Sequence, residues 1–140
     1  MWHFKKGTEI CNYKYPSQIL SVRLNRSRLV VCLRDSIYVH NMRDMRLIHS
    51  LRHITPNDNG LCSLSLFSHL AFPVSNVWGE LQIFDAENMQ IHIKIKAHNS
   101  PLSALNFSPN GILLATASEK GTTSLSNFDC IPQISVNELS

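Results

Sequence analysis

Cysteine and histidine are among the residue types in this chain whose side chains could bind a metal or act in catalysis. The cysteines Cys11, Cys32, Cys62 and Cys130 lie 21, 30 and 68 positions apart. This spacing matches no Cys-x-x-Cys metal or redox pattern. The first three lie in or next to apolar, strand-like runs. We therefore expect the cysteines to be reduced packing residues.

The remaining candidates for chemistry show no catalytic or metal-binding pattern. Histidines without ligand spacing are scattered along the chain at His40, His49, His53, His69 and His92. We therefore expect no metal site. No Gly-x-Ser-x-Gly or comparable nucleophile elbow occurs. A nucleophile–base pair formed by residues far apart in the sequence stays an open alternative. The sequence predicts no cofactor and no enzymatic activity.

The most regular element of the sequence is a hairpin near its end. Two alternating apolar runs, 102–107 and 112–117, are separated by Ser108-Pro-Asn-Gly111. Asn-Gly is a strong hairpin signal because both residues tolerate a positive φ. Glu119-Lys-Gly121 predicts a second tight turn, which leaves no room for a helix. Three antiparallel strands should therefore follow one another here.

Two independent markers recur along the chain at one period. The first is a short run before a polar turn, whose second residues, Val22, Leu64 and Leu105, are 42 and 41 positions apart. The second is the third strand of each unit, at residues 37–41, 81–85 and 125–129. These strands start 44 positions apart each time. A period of about 40 to 45 residues with four strands is the signature of WD40-type propeller blades.

The period divides the chain into blade-sized segments. Residues 1–16 are predicted to end a preceding blade, 17–54 and 55–98 to be blades, 99–129 an incomplete blade and 130–140 a frayed tail. The predicted strands are 18–24, 29–33, 36–41 and 47–51, then 61–66, 70–74, 80–85 and 91–96, then 102–107, 112–117 and 124–129. The fold class is therefore all-β, with about three WD40-like β-propeller blades.

About three blades are fewer than a closed ring requires. A propeller closes with four to eight blades, and an open arc leaves apolar surface uncovered at both ends. We therefore expect a partial propeller, either a piece or a shortened form of a longer protein.

Composition and charge narrow the class of protein. The chain has 140 residues, of which 44% are hydrophobic and 16% charged, as expected for one globular unit. No apolar run approaches the roughly 20 residues that span a bilayer, and the start lacks a signal-peptide pattern. These features predict a cytoplasmic protein. The net charge of +3 is too mild to argue for nucleic acid, but it suits a small, highly charged anion.

Three segments together resemble the PROPPIN family, the phosphoinositide-binding WD-repeat propellers of autophagy, and especially its WIPI branch. They are residues 3–13, residues 24–33 together with 37–45, and residues 114–122, which contain the string Ala-Thr-Ala-Ser-Glu-Lys-Gly-Thr. The family has seven blades, binds phosphatidylinositol 3-phosphate and the 3,5-bisphosphate, and has no catalytic activity. The resemblance therefore implies an effector of autophagosome formation that scaffolds the autophagy machinery. Such a protein is recruited peripherally to preautophagosomal or endosomal membranes.

The resemblance also implies a lipid phosphate-binding site. Thr116, Ser118, Gly121 and Thr122 match positions of the family's first lipid site. Hydroxyls and the backbone N–H groups of a glycine turn are suitable phosphate donors, and Lys120 lies close in sequence.

The chain departs from the family pattern directly after this string. An arginine that contacts phosphate in the family is replaced by Leu125, and the Phe-Arg-Arg-Gly motif expected further on is absent. Hydroxyls alone hold a doubly charged phosphate weakly in water. The resemblance therefore predicts a family member truncated before that motif, with weak lipid binding.

A second transferable feature is a basic cluster. Arg26, Arg43 and Arg46 stand at positions similar to those with which a WIPI member binds an acidic segment of an autophagy conjugation scaffold. Arg26 lies in a predicted turn and the other two just after another strand, so they could reach one rim and pair with carboxylates. The alternative function is a WD40-type protein-protein interaction module that uses this cluster without lipid binding.

Each feature also has a structural interpretation. His98 and Ser118 occupy positions where ordinary WD blades place a buried hydrogen-bond network. The arginines could simply be charges that block edge pairing of exposed strand ends. Both interpretations stay open at the level of sequence.

Overall fold

The chain folds into antiparallel sheets that follow one another along the sequence. The computed structural model describes residues 4–5, 9–10, 13–119 and 123–127, with side chains for residues 13–119. The first sheet contains β1 (Phe4–Lys5), β2 (Glu9–Ile10) and β3 (Tyr13–Lys14). The second contains β4 (Ser21–Leu24), β5 (Arg28–Cys32), β6 (Ser36–Asn41) and β7 (Leu47–Arg52).

The third and fourth sheets repeat this arrangement. The third contains β8 (Ser63–Leu64), β9 (His69–Pro73), β10 (Gly79–Asp85) and β11 (Gln90–His98). The fourth contains β12 (Leu102–Phe107), β13 (Leu113–Ser118) and β14 (Thr123–Asn127). Strand order follows chain order in each sheet, so every sheet is an up-and-down meander. Among the described residues, no helix has the length and apolar character needed to cross a membrane.

The strands predicted from the repeat all appear in the structure, and β6 and β12 have the predicted bounds. The largest difference concerns the predicted strand 61–66, of which only β8 is paired. The hydroxyl oxygen of Ser65 accepts hydrogen bonds from the N–H groups of Phe67 (3.2 Å) and His69 (3.0 Å), which turns the chain. On the other side, the N–H of Leu61 donates to the side-chain oxygen of Asn57 at 3.0 Å. On both sides of β8, side chains therefore bond to backbone N–H groups that would pair with a neighbouring strand if β8 were longer.

The hairpin of β12 and β13 forms as predicted, but its turn uses one positive φ instead of two. Gly111 has a φ of 73°, whereas Asn110 is not among the residues with a positive φ. The N–H of Gly111 donates to the carbonyl oxygen of Ser108 at 2.9 Å, and the side-chain oxygen of Asn110 accepts the N–H of Ile112 at 3.1 Å. Asn110 therefore acts through its side chain, and glycine alone supplies the left-handed conformation.

Neighbouring sheets pack face to face through buried apolar side chains. One core cluster joins the second and third sheets and includes Val30, Val39, Leu70, Phe72 and Phe84. Another joins the third and fourth sheets. A further cluster packs Tyr15 against the opposite face of β5 and β6. Because successive side chains of a strand point to opposite faces, a fully buried strand such as β5 serves two interfaces.

Candidate functional site

The β4–β5 turn presents Arg26 from a firmly held backbone. The side-chain oxygen of Asn25 accepts hydrogen bonds from the N–H groups of Ser27 (2.8 Å) and Arg28 (2.7 Å). Its side-chain nitrogen donates to the carbonyl oxygen of Ser65 at 2.9 Å. Asn25 therefore closes the turn and attaches it to the neighbouring sheet, while Arg26 is exposed.

The β6–β7 turn presents Arg43 in a similar way. The side-chain oxygen of Asn41 accepts the N–H of Arg43 at 2.9 Å, and its carbonyl oxygen accepts the N–H of Met45 at 2.7 Å. Met45 has a φ of 62°. The N–H of Met42 donates to the carbonyl oxygen of Ser27 at 3.1 Å, which joins this turn to the β4–β5 turn.

His40 supports the β6–β7 turn from below. Its Nε2 lies 2.6 Å from the hydroxyl oxygen of Tyr15, and its Nδ1 lies 3.1 Å from the carbonyl oxygen of Met45. A neutral ring that is protonated on Nδ1 satisfies both contacts. Burial lowers the pKa of His40, and the hydrogen bond to Met45 opposes this shift. The turn that carries Arg43 therefore rests on a neutral histidine.

The two turns enclose an open cleft of about 500 Å³, called the basic cleft below. Its lining residues are Arg26, Ser27, Arg28, Asn41, Met42 and Arg43. Arg26 and Arg43 are exposed, and within the described part of the chain neither guanidinium has a hydrogen bond or an ion pair. Two cations without internal partners at one cleft are suited to bind carboxylates or another anion.

The structure separates the third predicted arginine from this cleft. Arg46 is not a lining residue, and its side chain is 85% exposed. Its Nε lies 3.9 Å from a carboxylate oxygen of Asp44. The predicted cluster is therefore two arginines at the cleft and one beside it.

Arg28 is a cleft residue that the sequence analysis missed. Its Nε donates to the carbonyl oxygen of Ala86 at 2.8 Å, and its guanidinium lies 3.7 Å from the carboxylate of Glu87. Only 15% of its side chain is exposed. Its position two residues after Arg26, at the start of an apolar strand, was the available signal. Arg28 holds the floor of the cleft against the neighbouring sheet.

The predicted lipid-site hydroxyls lie in a different environment. Thr116 and Ser118 are both 3% exposed, on the buried face of β13. The hydroxyl oxygen of Thr116 lies 2.9 Å from Nε2 of His98. Gly121 and Thr122, as well as Lys120, lie outside the described residues. The complete set of four residues is therefore not seen together.

The contact of His98 with Thr116 confirms that His98 takes part in a buried hydrogen-bond network. His98 is 4% exposed and ends β11, so the contact joins the third sheet to the fourth. Ser118 belongs to the same region, because its carbonyl oxygen accepts a hydrogen bond from the hydroxyl of Ser103 at 3.1 Å. The hydroxyl of Thr116 thus has a structural role here, which the sequence analysis had assigned only to His98 and Ser118.

Metal-binding groups are not assembled in the part of the chain that the structure describes. No three His, Cys, Asp or Glu side chains among those residues are placed to hold a metal ion. Cys32 and Cys62 are buried, with free thiols, and both belong to the core between the second and third sheets. Their predicted packing role is confirmed. The side chains of Cys11 and Cys130 lie outside the described residues.

Comparison with known sequences identifies relatives over most of the chain. A model of the PROPPIN family matches residues 1–133. WD repeat domain phosphoinositide-interacting protein 2 of Gallus gallus is 55% identical over 123 residues, which cover 86% of this chain and 28% of the relative. Autophagy-related protein 18 of Caenorhabditis elegans is 36% identical over 125 residues, 87% of this chain and 30% of the relative. The chain thus spans less than a third of the length of these relatives.

Comparison with solved structures confirms the predicted all-β, partial propeller fold. Kluyvelomyces marxianus Hsv2 is similar with a TM-score of 0.72 and 20% identity, over 90% of this chain and 39% of that protein. A complex of KlAtg21 with the coiled-coil of AgAtg16 is similar with a TM-score of 0.75 and 24% identity, over 90% of this chain and 43% of that one.

Proposed function

Because the chain belongs to the PROPPIN family, we propose that it is part of a phosphoinositide-interacting protein of autophagy and supplies a protein-binding rim. Its partner is an acidic segment of an autophagy conjugation scaffold. Recruitment is peripheral, to preautophagosomal or endosomal membranes that carry phosphatidylinositol 3-phosphate or the 3,5-bisphosphate. The relatives are named for phosphoinositide interaction and autophagy, and no catalytic step is assigned to this chain.

The observation that carries the proposal is the basic cleft. Arg26 and Arg43 approach it from two turns joined by a backbone hydrogen bond of 3.1 Å. A held backbone reduces the entropy lost when a partner binds. Guanidinium groups pair bidentately with carboxylates, and opposite charge at an exposed rim also accelerates encounter. An acidic peptide is therefore the partner chemistry that the cleft fits.

For lipid binding we propose a more limited role. Thr116 and Ser118 are each 3% exposed, and the hydroxyl of Thr116 already bonds to His98. With Leu125 at the place of the family's arginine, few groups are left to neutralise a phosphate. We therefore propose that this chain by itself binds the headgroup weakly. If the chain binds no headgroup at all, the alternative function applies, which is a protein-interaction module without lipid binding.

Capture of an acidic peptide tests the protein-binding proposal. Fluorescence anisotropy would compare the unchanged chain with the double variant Arg26→Glu/Arg43→Glu. We expect the double variant to lose binding, because two attractive pairs become repulsive. Arg52→Glu is the matched control, since Arg52 is an exposed arginine at the far end of β7 from the β6–β7 turn. Equal binding by the double variant and the control would refute this role of the cleft.

Liposome flotation tests the lipid part separately. Vesicles with and without phosphatidylinositol 3-phosphate would be mixed with the chain, and weak or absent flotation is expected. Appending a segment with the Phe-Arg-Arg-Gly motif should increase flotation, because it supplies the missing guanidinium groups. Strong headgroup-dependent flotation of the unchanged chain would contradict weak binding. Peptide capture without any flotation, even with the appended segment, would favour the protein-interaction module.

A further inference from the structure

The turn between β8 and β9 exposes two large apolar side chains, called the apolar pair below. Leu66 is 52% exposed and Phe67 is 57% exposed. They are the two central residues of a turn in which the N–H of Ser68 donates to the carbonyl oxygen of Ser65 at 3.0 Å. The central positions of turns usually carry polar residues or glycine, because they face water. Adjacent exposed apolar side chains mark surfaces that contact other molecules.

One side chain attaches this turn to the basic cleft. The side-chain nitrogen of Asn25 donates to the carbonyl oxygen of Ser65 and to the hydroxyl oxygen of Ser68, both at 2.9 Å. Asn25 therefore bonds to the first and the last residue of the turn that carries the apolar pair. The next residue along the chain is Arg26, which lines the basic cleft. The apolar pair is thus held beside one of the two turns that enclose the cleft.

The neighbouring sheet fixes the apolar pair from its other side. A methyl group added at Gly111 would lie 2.9 Å from Cδ2 and 3.2 Å from Cε2 of Phe67, so this side of the ring packs directly on the backbone of the β12–β13 turn. The hydroxyl oxygen of Ser65 also accepts the N–H of Phe67 at 3.2 Å. An aromatic ring that is already held in place loses little freedom when a partner binds.

We propose that the apolar pair is an anchor site for the acidic segment assigned to the basic cleft, and that this segment carries a large apolar side chain beside its acidic run. The inference rests on the proposed function, because the charge of the cleft selects an acidic partner. Carboxylates pair with Arg26 and Arg43, while the apolar side chain covers Leu66 and Phe67. Apolar burial adds affinity that salt does not screen, and it distinguishes such a segment from one that is only acidic.

The charges beside the apolar pair favour an acidic peptide over a second copy of this chain. In a two-fold symmetric dimer the same surface of both copies is in contact. Such a contact would bring Arg26 and Arg43 of one copy close to those of the other, and like charges repel across an interface. The chain as a whole also has a net charge of +3. An acidic segment meets attraction at the same place.

Peptide titrations are the direct test. The probes are fluorescein-labelled peptides of about 12 residues, which reach up to about 40 Å when extended. One series carries a run of glutamates and one phenylalanine, placed at successive positions before or after the run. A second series has serine in place of the phenylalanine, and a third has glutamine in place of the glutamates. Fluorescence anisotropy with the full chain gives the affinity of each peptide.

The best phenylalanine peptide should bind about 3- to 10-fold more tightly than its serine counterpart. This ratio should persist at high salt, where both acidic peptides bind more weakly, and the glutamine peptides should show no measurable binding. Equal affinity of phenylalanine and serine peptides at every position would overturn the inference but leave the proposed function standing. If no acidic peptide binds, the proposed function is refuted and the inference with it.

A variant of the apolar pair locates the contact. Leu66→Ser/Phe67→Ser should abolish the preference for phenylalanine and leave the affinity for the serine peptides unchanged. Val77→Ser/Trp78→Ser is the matched control, because these side chains are 66% and 41% exposed on the turn at the opposite end of β9. It should keep the preference. A preference that survives in the first variant, or that disappears equally in the control, would overturn the inference.

A single substitution and a measurement of association complete the test. Leu66→Ser leaves the ring of Phe67 in place and should lose part of the preference, so it serves if the double variant does not fold. Sedimentation of the unchanged chain and the double variant should give the same state of association. If only the unchanged chain dimerises, the apolar pair joins two copies. If only the unchanged chain binds phosphatidylcholine vesicles, the pair contacts lipid. Either result would overturn the inference.

Discussion

The basic cleft and strand β13 both carry polar side chains at positions typical of binding sites, but they use these side chains differently. In the cleft, Arg26 and Arg43 are exposed and make no hydrogen bond or ion pair with other described residues. On β13, Thr116 is 3% exposed and bonds to His98 at 2.9 Å. A polar group that is already satisfied inside the protein has little to offer a ligand. A charge that faces water without a partner is available to one.

The largest effect is expected from reversing the charge of the cleft. Arg26→Glu/Arg43→Glu should weaken binding of an acidic peptide roughly 10- to 100-fold, because each exposed pair contributes about 0.2–1 kcal/mol and reversal adds repulsion. The same variant should leave the free energy of unfolding nearly unchanged, since neither side chain has an internal partner. Anisotropy titrations and urea unfolding check the two parts. A large loss of stability would mean that the cleft is structural.

The opposite pattern is expected on β13. Thr116→Val keeps the side-chain volume but removes the hydroxyl that bonds to His98. It should lower the free energy of unfolding by about 1–3 kcal/mol without affecting capture of an acidic peptide. Ala115→Ser, at the exposed neighbouring position, is the control and should change stability by less than about 0.5 kcal/mol. A Thr116→Val variant of unchanged stability would remove the distinction between the two regions.

Acidification should lower the free energy of unfolding through His40, which supports the β6–β7 turn at the basic cleft. Burial holds the pKa of His40 below 6.5, so the unfolded state takes up the proton more readily than the folded state. The contribution of neutral His40 to the free energy of unfolding is complete above pH 6.5. It is lost as the pH falls through the lower pKa that His40 has in the folded state. Unfolding by urea between pH 5 and pH 8 measures it.

Substitution of the histidine checks the source of that pH dependence. His40→Gln should flatten part of the slope below pH 6.5, and His69, whose pKa is lowered by burial and by His92, should contribute to the slope that remains. A slope that is the same in His40→Gln and in the unchanged chain would rule out His40 as its source.

The smallest effect is expected from Arg46→Glu. Its side chain is 85% exposed, lies outside the cleft lining and is 3.9 Å from Asp44. Peptide affinity should fall by no more than about threefold, through long-range charge alone, and this residual effect should vanish at high salt. Anisotropy titrations at two salt concentrations check this. A loss as large as that of Arg43→Glu would place Arg46 in the cleft after all.

Prediction from the sequence succeeded where the controlling interactions are local. Alternation and turn residues predicted β6 and β12 with their bounds. It was less successful where side chains compete with the ladder, as at Ser65 and Asn57 beside β8. The environment of Thr116 could not be predicted, because its partner His98 lies on another sheet.

The sequence by itself determined the succession of strands, the period of the sheets and membership of the family. The strands follow from alternating apolar residues and from turn residues that act within a few positions of each other, whereas family membership follows from the resemblance of whole segments. Only the tertiary structure decided which polar groups remain free. It placed Arg26 beside Arg43 but left Arg46 outside, and it joined Thr116 to His98. The physical reason is that these contacts cross between turns or sheets, so they depend on how the sheets pack.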